Sequence, residues 1–322
     1  MKRFLIGLGI IAAASMVSSS ASALDSIRVM AFPSLTNLPI FAAEAKGMFA
    51  KRNLSVELLP APSSDVLRAG LLKNDFQIVH SAVDNAVATA ELDKANVVVL
   101  MGGDNGWNNL FVQSDVQSIK DLRGKSVLVD APDTAYAFQV YEVLKRAGLN
   151  KGDYDVKAVG ATFRRFDVMK SDKSAAATAL SPPYSILARR SGLRDMGNVV
   201  ALIGPYQSNS AWVLKSWAEE HSDLVVRYIQ AYIEGGRWAS DPANKAEVID
   251  LLMKNLKLPQ DVATEAYAIA TDPKDGMAKD AAIDLEGFKN VLKLRADWTG
   301  QTPGPPEKYI DLSYYKKALS GL

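Results

Sequence analysis

The sequence predicts an α/β fold with two α/β domains. Short apolar runs alternate with longer amphipathic stretches from Leu24 onward, which is typical of parallel strands joined by crossover helices. The alternation restarts near residue 115, and the last third of the chain is mainly helical in pattern. From Leu24 onward the chain has about 300 residues, which is larger than a usual single domain. We therefore expect two domains with extra C-terminal helices.

The first part of the chain alternates strand and helix signals. Asn53 suits the left-handed turn that ends a helix, and Ser63 begins a run of N-cap residues. Apolar runs predict strands at 26–31, 54–59, 75–80 and 97–101, and helical spacing predicts helices at 38–52, 65–73 and 84–92.

The second part repeats this pattern and then changes. Gly148 is placed to end a helix. Strands are predicted at 109–113, 126–130, 154–159, 175–180 and 199–203, with helices at 119–125, 134–147 and 163–171. Later helices are predicted at 216–238, 244–256, 260–270, 285–298 and 312–319.

The chain has no low-complexity linker, so two domains are expected to be joined by segments that cross between them. We expect these crossings near Phe111 to Ser114 and near Gly204 to Ser208. Domain I then comprises residues 24–111 and 208–322, and domain II comprises residues 112–207. A ligand is expected in the cleft between them, at the carboxyl ends of the parallel strands.

The first 23 residues have the three parts of a cleavable secretory signal. Lys2 and Arg3 precede an apolar run at 4–17, and small residues lead to Ala23. We expect cleavage after Ala23 and a periplasmic location. A membrane anchor is the alternative, but no charged flank follows Ala23. The chain has no cysteine, which excludes disulfides, thiolate metal sites and a diacylated lipoprotein anchor.

The charge balance excludes two classes of partner. The chain has 37 basic and 36 acidic residues, whereas nucleic acids and anionic membranes are bound by a strong basic excess or stripe. We expect neither partner.

Two neighbouring segments near the start of the chain carry a family resemblance: Pro39-Ile40-Phe41-Ala42-Ala43-Glu44-Ala45-Lys46-Gly47-Met48-Phe49 and Asn53-Leu54-Ser55-Val56-Glu57. Together they resemble the substrate-binding proteins of ABC importers for nitrate, sulfonates, taurine and thiamine precursors, which form the NMT1/THI5-like and SsuA-like group. The segments 81–86, 121–127 and 213–238 are similar to this family too. The resemblance implies a type II periplasmic-binding fold, a hinged two-domain clamp, docking on a membrane permease and no catalysis. A monomer is the default for such a clamp.

Candidate ligand-binding residues are those that follow strands and open helices, where backbone N–H groups and polar caps face a cleft. Each is also an ordinary helix cap or packing residue. Domain I offers Ser34, Thr36, Asn37, Ser63, Ser64, Ser81, Asp84 and Asn85. Domain II offers Asp133, Thr134, Tyr136, Phe163, Arg164, Ser181 and Tyr184, and Trp107 and Tyr206 lie near the crossings.

The charge of the ligand is left open by these residues. Arg164 and Arg165 form the only basic pair at a predicted cleft turn and suit a carboxylate or sulfonate. Asp65, Asp84 and Asp133 at similar turns oppose a strong anion. A small organic carboxylate or sulfonate is the first expectation, and an amine-bearing compound held partly by Asp84 is the second.

Catalytic motifs are missing from the sequence. His80 and His221 have no metal-ligand spacing, and there is no G-x-S-x-G elbow, P-loop or dinucleotide-binding G-x-G-x-x-G. We expect no cofactor, no metal and no enzyme activity. Two alternatives remain: a binding module that feeds a membrane sensor, and an exported hydrolase or lyase with Asp84 or Asp133 as general base.

Overall fold

The computed structural model describes residues 23–322 and confirms an α/β protein built on two five-stranded sheets. The predicted secretory signal, apart from Ala23, lies outside the described residues. Within residues 23–322, no helix combines the length and apolar character needed to cross a membrane.

The strands, in chain order, are β1 (Asp25–Ala31), β2 (Leu54–Pro60), β3 (Ile78–Ala82), β4 (Val97–Gly102), β5 (Asn109–Val112), β6 (Ser126–Val129), β7 (Asp155–Ala158), β8 (Ala175–Leu180), β9 (Arg194–Asn198) and β10 (Asn209–Leu214). The α-helices are α1 (Leu38–Ala45), α2 (Ser64–Leu72), α3 (Val83–Glu91), α4 (Ala135–Arg146), α5 (Thr162–Ser171), α6 (Tyr184–Arg190), α7 (Val199–Ile203), α8 (Lys215–Glu220), α9 (Ser222–Ser240), α10 (Lys245–Leu256), α11 (Gln260–Ala270), α12 (Leu285–Thr299) and α13 (Ser313–Ser320).

The two sheets define two blocks. The first sheet has the order β2-β1-β3-β10-β4, and the second has the order β7-β6-β8-β5-β9. In each sheet one strand runs against its neighbours: β10 is antiparallel to β3 and β4, and β5 is antiparallel to β8 and β9. We call residues 25–102 and 209–322 the first block and residues 109–203 the second block. The second block is therefore inserted into the first.

Two short segments connect the blocks, at residues 103–108 and 204–208. The first lies upstream of the crossing expected near Phe111 to Ser114, because β5 already belongs to the second sheet. The segments are bonded to each other: the backbone carbonyl of Asp104 accepts from the N–H of Ser208 at 3.1 Å and from the side chain of Gln207 at 3.3 Å.

Local sequence explains several element boundaries. Asn53 adopts the left-handed conformation with φ of 55° and ends the short helix before β2. The hydroxyl of Ser63 accepts from the backbone N–H of Val66 and caps α2, as its residue type predicts. α1 ends at Ala45, short of the predicted 52, and Gly47 follows with φ of 67°.

The prediction of a strand at 199–203 is wrong, because this segment forms α7. The side chain of Asn198 accepts from the backbone N–H of Ala201 at 3.0 Å and starts the helix. The strands β9 and β10, on either side of α7, are not predicted. β10 is buried on both faces, so its residues lack the polar and apolar alternation of a half-buried strand.

The first sheet is covered on one face by the C-terminal helices. Ile27, Val29 and Ile78 form one buried cluster with Val225 and Ile229 of α9. Gly235 allows close approach there, since a Cβ at this position would lie 2.2 Å from the carbonyl oxygen of Pro39 in α1. This packing leaves the carboxyl ends of β1, β2 and β3 facing the second block.

Candidate functional site

A cavity of about 40 Å³ lies between the two blocks. Its walls come from residues that follow the carboxyl ends of β1, β2 and β3 in the first block and of β6, β7 and β8 in the second. The lining residues are Phe32, Ser34, Thr36, Ser64, Ser81, Ala82, Asn85, Asp130, Thr134, Ala135, Tyr136, Ala161, Thr162, Arg165, Ser181 and Asn209. The site therefore belongs to both blocks.

The first block supplies mainly hydroxyl groups. Ser34 caps a single turn of 3-10 helix, and its hydroxyl accepts from the N–H of Thr36 at 3.4 Å. Ser81 is the penultimate residue of β3, and its hydroxyl accepts from the indole N–H of Trp212 at 3.0 Å. Asn85 lies in the first turn of α3 and is buried. These groups suit a polar ligand because hydroxyls both donate and accept hydrogen bonds.

Arg165 is the buried cation of the cavity. It is 2% exposed and donates to four neutral acceptors: the hydroxyls of Thr178 and Thr162 and the carbonyls of Gly160 and Ala179, at 2.6–3.2 Å. Burial lowers the pKa of its guanidinium, and the charge of Asp130 opposes that shift. These bonds use four of its five N–H groups and tie α5 to β8.

Asp130 is the buried anion of the cavity, and it directly follows β6. The side chain is 7% exposed. Its Oδ2 accepts from the backbone N–H of Ser64, at the start of α2 in the opposite block, at 3.2 Å. Among the described residues, no group donates to Oδ1, which is also buried. Half of this carboxylate therefore has hydrogen-bonding capacity left for a ligand.

Two aromatic rings, Phe32 and Tyr136, add a flat apolar surface to the cavity. The Tyr136 hydroxyl lies 3.4 Å from the hydroxyl of Ser208 in the second connecting segment. Burial raises the pKa of Tyr136 to about 12, so the phenol stays protonated at neutral pH. The ring can contact a planar or alkyl group while the hydroxyl donates or accepts.

The structure brings eight of the seventeen residues proposed from sequence to the cavity. They lie at the end of a strand, just after one or at the start of a helix, and they are Ser34, Thr36, Ser64, Ser81, Asn85, Thr134, Tyr136 and Ser181.

Three of the proposed residues have structural partners instead. Asp84 forms an ion pair with Arg295 of α12 at 2.9 Å, and both are 1% exposed. Burial raises the pKa of Asp84, whereas Arg295 lowers it. The indole N–H of Trp107 donates to the carbonyl of Asp275 at 2.7 Å. Tyr206 is 2% exposed within an apolar cluster. None of the three lines the cavity.

The other six proposed residues lie around the cavity rather than on its wall. Asn37 donates to the carbonyl of Phe32, and Ser63 is the cap of α2. Asp133 is half-buried and offers its carbonyl to Arg295 at 3.5 Å. The last three lie at the starts of α5 and α6: the rings of Phe163 and Tyr184 pack 6.5 Å apart, and Arg164 is exposed beside the Phe163 ring.

Eight lining residues were not among the seventeen candidates, although Ala135, Thr162 and Arg165 lie in the turns that supplied them: Phe32, Ala82, Asp130, Ala135, Ala161, Thr162, Arg165 and Asn209. A signal existed for two of them. Asp130 is the polar residue directly after an apolar strand, and Arg165 is the second member of the basic pair, one position beyond Arg164. Successive helical residues lie about 100° apart, so only one arginine of the pair can face the cavity.

Further contacts between the blocks surround the cavity. The backbone N–H of Leu35 donates to the carbonyl of Pro182, and that of Ala161 donates to the carbonyl of Pro62, at 3.2 and 3.1 Å. At the rim, α6 meets α11. Arg189 pairs with Glu265 at 2.9 Å, and Arg190 pairs with both Asp261 and Glu265. These contacts hold the blocks closed over the cavity.

The buried histidine His80 does not line this cavity. His80 is 1% exposed, and its Nε2 is hydrogen-bonded to the Tyr228 hydroxyl at 2.8 Å. Burial lowers the pKa of His80 to about 3, so the imidazole is neutral at physiological pH. In residues 23–322, no group of three or more His, Cys, Asp or Glu side chains is placed to hold a metal ion.

The model of the family described as NMT1/THI5 like matches residues 35–246. A sequence search of curated proteins finds no match. Among solved structures, the periplasmic nitrate-binding protein NrtA from Synechocystis PCC 6803 is similar at a TM-score of 0.80 and 13% identity, over 93% of this chain and 89% of that one.

Two further solved structures are similar. The periplasmic aliphatic sulphonate binding protein SsuA from Escherichia coli has a TM-score of 0.70 and 14% identity, over 90% of this chain and 99% of that one. The ligand-binding component of an ABC-type import system from Staphylococcus aureus, with zinc bound, has a TM-score of 0.76 and 13% identity, over 91% and 99%. At these identities the likeness establishes a shared fold.

Proposed function

Because this chain belongs to the NMT1/THI5-like family, we propose that it is a solute-binding protein that captures a small organic ligand between its two blocks and delivers it to an ABC permease. The observation that supports this most directly is the polar cavity whose wall is shared by both blocks. A ligand there contacts Ser81 and Asn85 on one side and Thr134 and Tyr136 on the other.

This arrangement makes closure depend on the ligand. The two connecting segments allow the blocks to open and close, and a ligand that touches both blocks binds the closed form better than the open one. The ligand therefore shifts the equilibrium toward the closed form, which is the form proposed to dock on the permease. We propose a periplasmic monomer for this task, with removal of the signal after Ala23.

Binding without turnover is the reading favoured by the cavity wall. Its ionisable side chains are Asp130, Tyr136 and Arg165. Arg165 is held by four protein acceptors, and the raised pKa of Tyr136 makes it a poor base at neutral pH. Asp84 and Asp133, the candidate bases proposed from sequence, are not part of the wall. An exported hydrolase or lyase that uses Asp84 or Asp133 as its general base thus has little support here.

The carboxylate or sulfonate ligand favoured by sequence rested on the basic pair at 164–165. Arg164 is exposed and does not line the cavity, and Arg165 has one N–H group left for a ligand. This preference for an anion therefore loses most of its basis, and the proposal retains only a small organic ligand.

A thermal-shift and calorimetry screen of the protein from Leu24 onward tests the proposal. The panel includes carboxylates, sulfonates, nitrate, amines, amidines and pyrimidines. A true ligand at 100 times its dissociation constant should stabilise the protein by about 2.7 kcal/mol. Mass spectrometry of the recovered ligand should show it unchanged. Stimulation of ATP hydrolysis by the reconstituted permease should require the loaded protein.

A pair of variants locates the binding. Ala135→Leu adds bulk to the cavity wall at the start of α4 and should abolish the ligand-induced shift. Ala147→Leu, the same substitution at the other end of α4, should retain it. Equal shifts in both variants would show that the ligand binds elsewhere, and a changed ligand would indicate an enzyme.

A further inference from the structure

Resting on the proposed function, we propose that the ligand carries a cationic nitrogen, of the ammonium or amidinium type, which donates a hydrogen bond to Asp130. The proposal concerns the chemical class of the ligand and one specificity-determining residue. It rests on the unequal use of the two charged side chains of the cavity wall.

The first step concerns the spare capacity of Asp130. Its Oδ1 is buried and receives no hydrogen bond from any described residue, while Oδ2 is bonded to the N–H of Ser64. A buried carboxylate oxygen without a donor is unfavourable, so a bound ligand that supplies a donor gains strongly there. Charged donors make the strongest hydrogen bonds of this kind.

The second step concerns Arg165, the group that would otherwise favour an anion. Its guanidinium already donates to Thr178, Thr162, Gly160 and Ala179. A bidentate grip on a carboxylate or sulfonate needs two free N–H groups, and Arg165 has only one. Arg165 therefore serves mainly to hold α5 on β8 and to balance the charge of Asp130.

The third step concerns the helix N-termini at the cavity, which are general anion-binding features. At the start of α2, two of the backbone N–H groups already have hydrogen-bond partners. The hydroxyl of Ser63 accepts from the N–H of Val66, and Asp130 accepts from the N–H of Ser64. An added anion at this point would approach the carboxylate of Asp130 directly. The first turns of α4 and α5 still offer backbone N–H groups to neutral acceptor atoms elsewhere on the ligand.

Isosteric probe pairs test the proposal, because their members share shape and differ in charge. Acetamidine is compared with acetate, and benzamidine with benzoate, with neutral acetamide and benzamide as a third set. Dissociation constants are measured by calorimetry at fixed ionic strength. We expect the amidines to bind more tightly than the matching carboxylates and amides.

Asp130→Asn is the decisive variant, and Asp133→Asn is its matched control three residues along the same segment. We expect Asp130→Asn to weaken amidine binding by about 10- to 100-fold, the loss of one charge-assisted hydrogen bond. Asp133→Asn should change it by less than about twofold. Asp130→Ser provides a second variant, and near-UV circular dichroism checks that each variant is folded.

Three results would overturn the inference: tighter binding of the carboxylates by the unsubstituted protein, equal binding of amidines and amides, or retention of amidine binding in Asp130→Asn. Binding of anions alone would leave the solute-binding function standing. Absence of binding by every class in the wider panel would contradict both proposals.

Discussion

Two regions of this protein each bury one aspartate and one arginine, and they use them differently. Asp84 of α3 and Arg295 of α12 are both 1% exposed and form a direct ion pair at 2.9 Å. Asp130 and Arg165 lie at the cavity, where Arg165 bonds to neutral acceptors and Asp130 keeps one oxygen free. Oδ1 of Asp84 and Nη2 of Arg295 are also buried without a hydrogen-bond partner among the described residues, but neither residue lines the cavity, whereas Asp130 does.

The difference separates a structural role from a binding role. Arg295 also reaches the carbonyl of Asp133 and lies over the ring of Phe138, so its ion pair braces α3 and α12 against the second block. Asp130 bridges the blocks through a single bond to Ser64. Burial of charge alone does not mark a ligand site, and what distinguishes Asp130 is that its unused oxygen belongs to a residue of the cavity wall.

The largest expected effect is a loss of stability on replacing Asp84 by asparagine, compared with the same substitution at Asp130. Asp84→Asn leaves the charge of Arg295 buried without its counter-ion, which should lower the free energy of unfolding by about 3–5 kcal/mol. Urea denaturation at pH 7 measures this loss.

Asp130→Asn is the matched control for stability, because its amide oxygen can still accept from the N–H of Ser64. We expect a change below about 1 kcal/mol in either direction. Similar losses at both positions would contradict the contrast between the two regions.

A third buried aspartate sharpens the comparison because no cationic side chain in residues 23–322 pairs with it. Burial raises the pKa of Asp104 from 3.8 to about 6, although the N–H of Gly106 donates to it. Between about pH 4 and pH 6 the unfolded chain loses this proton while the folded protein keeps it. Stability should therefore fall by up to about 3 kcal/mol as pH rises through this window and then level off.

Asp104→Asn should remove that loss, so the difference in unfolding free energy between the variant and the unsubstituted protein should grow from pH 4 to pH 6. Asp121, on the surface, is the control, because its contribution to stability changes with pH in the opposite direction. Hydrogen bonds from Ser118 lower the pKa of Asp121, so its contribution is lost as pH falls. A pH-independent difference for Asp104→Asn would contradict the assignment.

The smallest effect is expected at the rim, where the pairs between α6 and α11 are exposed. Glu265→Gln removes the partner shared by Arg189 and Arg190. The closed fraction should fall by less than about fivefold at low salt and be unchanged at 1 M salt, where exposed charges are screened.

The chain has no cysteine, so fluorophores on Lys151→Cys and Glu220→Cys report the distance between the blocks by energy transfer. Glu286→Gln is the control, since its partner Lys289 lies on the same helix. A shift of equal size in both variants would mean that the rim pairs do not contribute to closure.

The sequence was sufficient for the alternation of strands and helices, because strands such as β3 and β4 are short apolar runs bounded by turn residues. It was insufficient for 199–203, where an N-cap at Asn198 outweighs the β-branched residues, and for β10. The conformations of residues 199–203 and of β10 depend on the elements that pack around them, because tertiary packing overrides the local preference for helix or strand.

For the site, the general rule that ligands lie beyond the carboxyl ends of strands placed eight residues at the cavity. The rule cannot distinguish Arg164 from Arg165, or Asp84 from Asp130, because that choice depends on helix phase and on distant partners such as Arg295. The second expectation from sequence was an amine held partly by Asp84, whereas our proposal places a cationic nitrogen at Asp130, because Asp84 is paired with Arg295 and does not line the cavity.

The position of β10 has a consequence for folding. This strand lies between β3 and β4, although more than a hundred residues separate it from either in sequence. Until it inserts, β3 and β4 each have an unpaired edge. The first block is thus completed only after the second has been synthesised, so folding is expected to be slow and late.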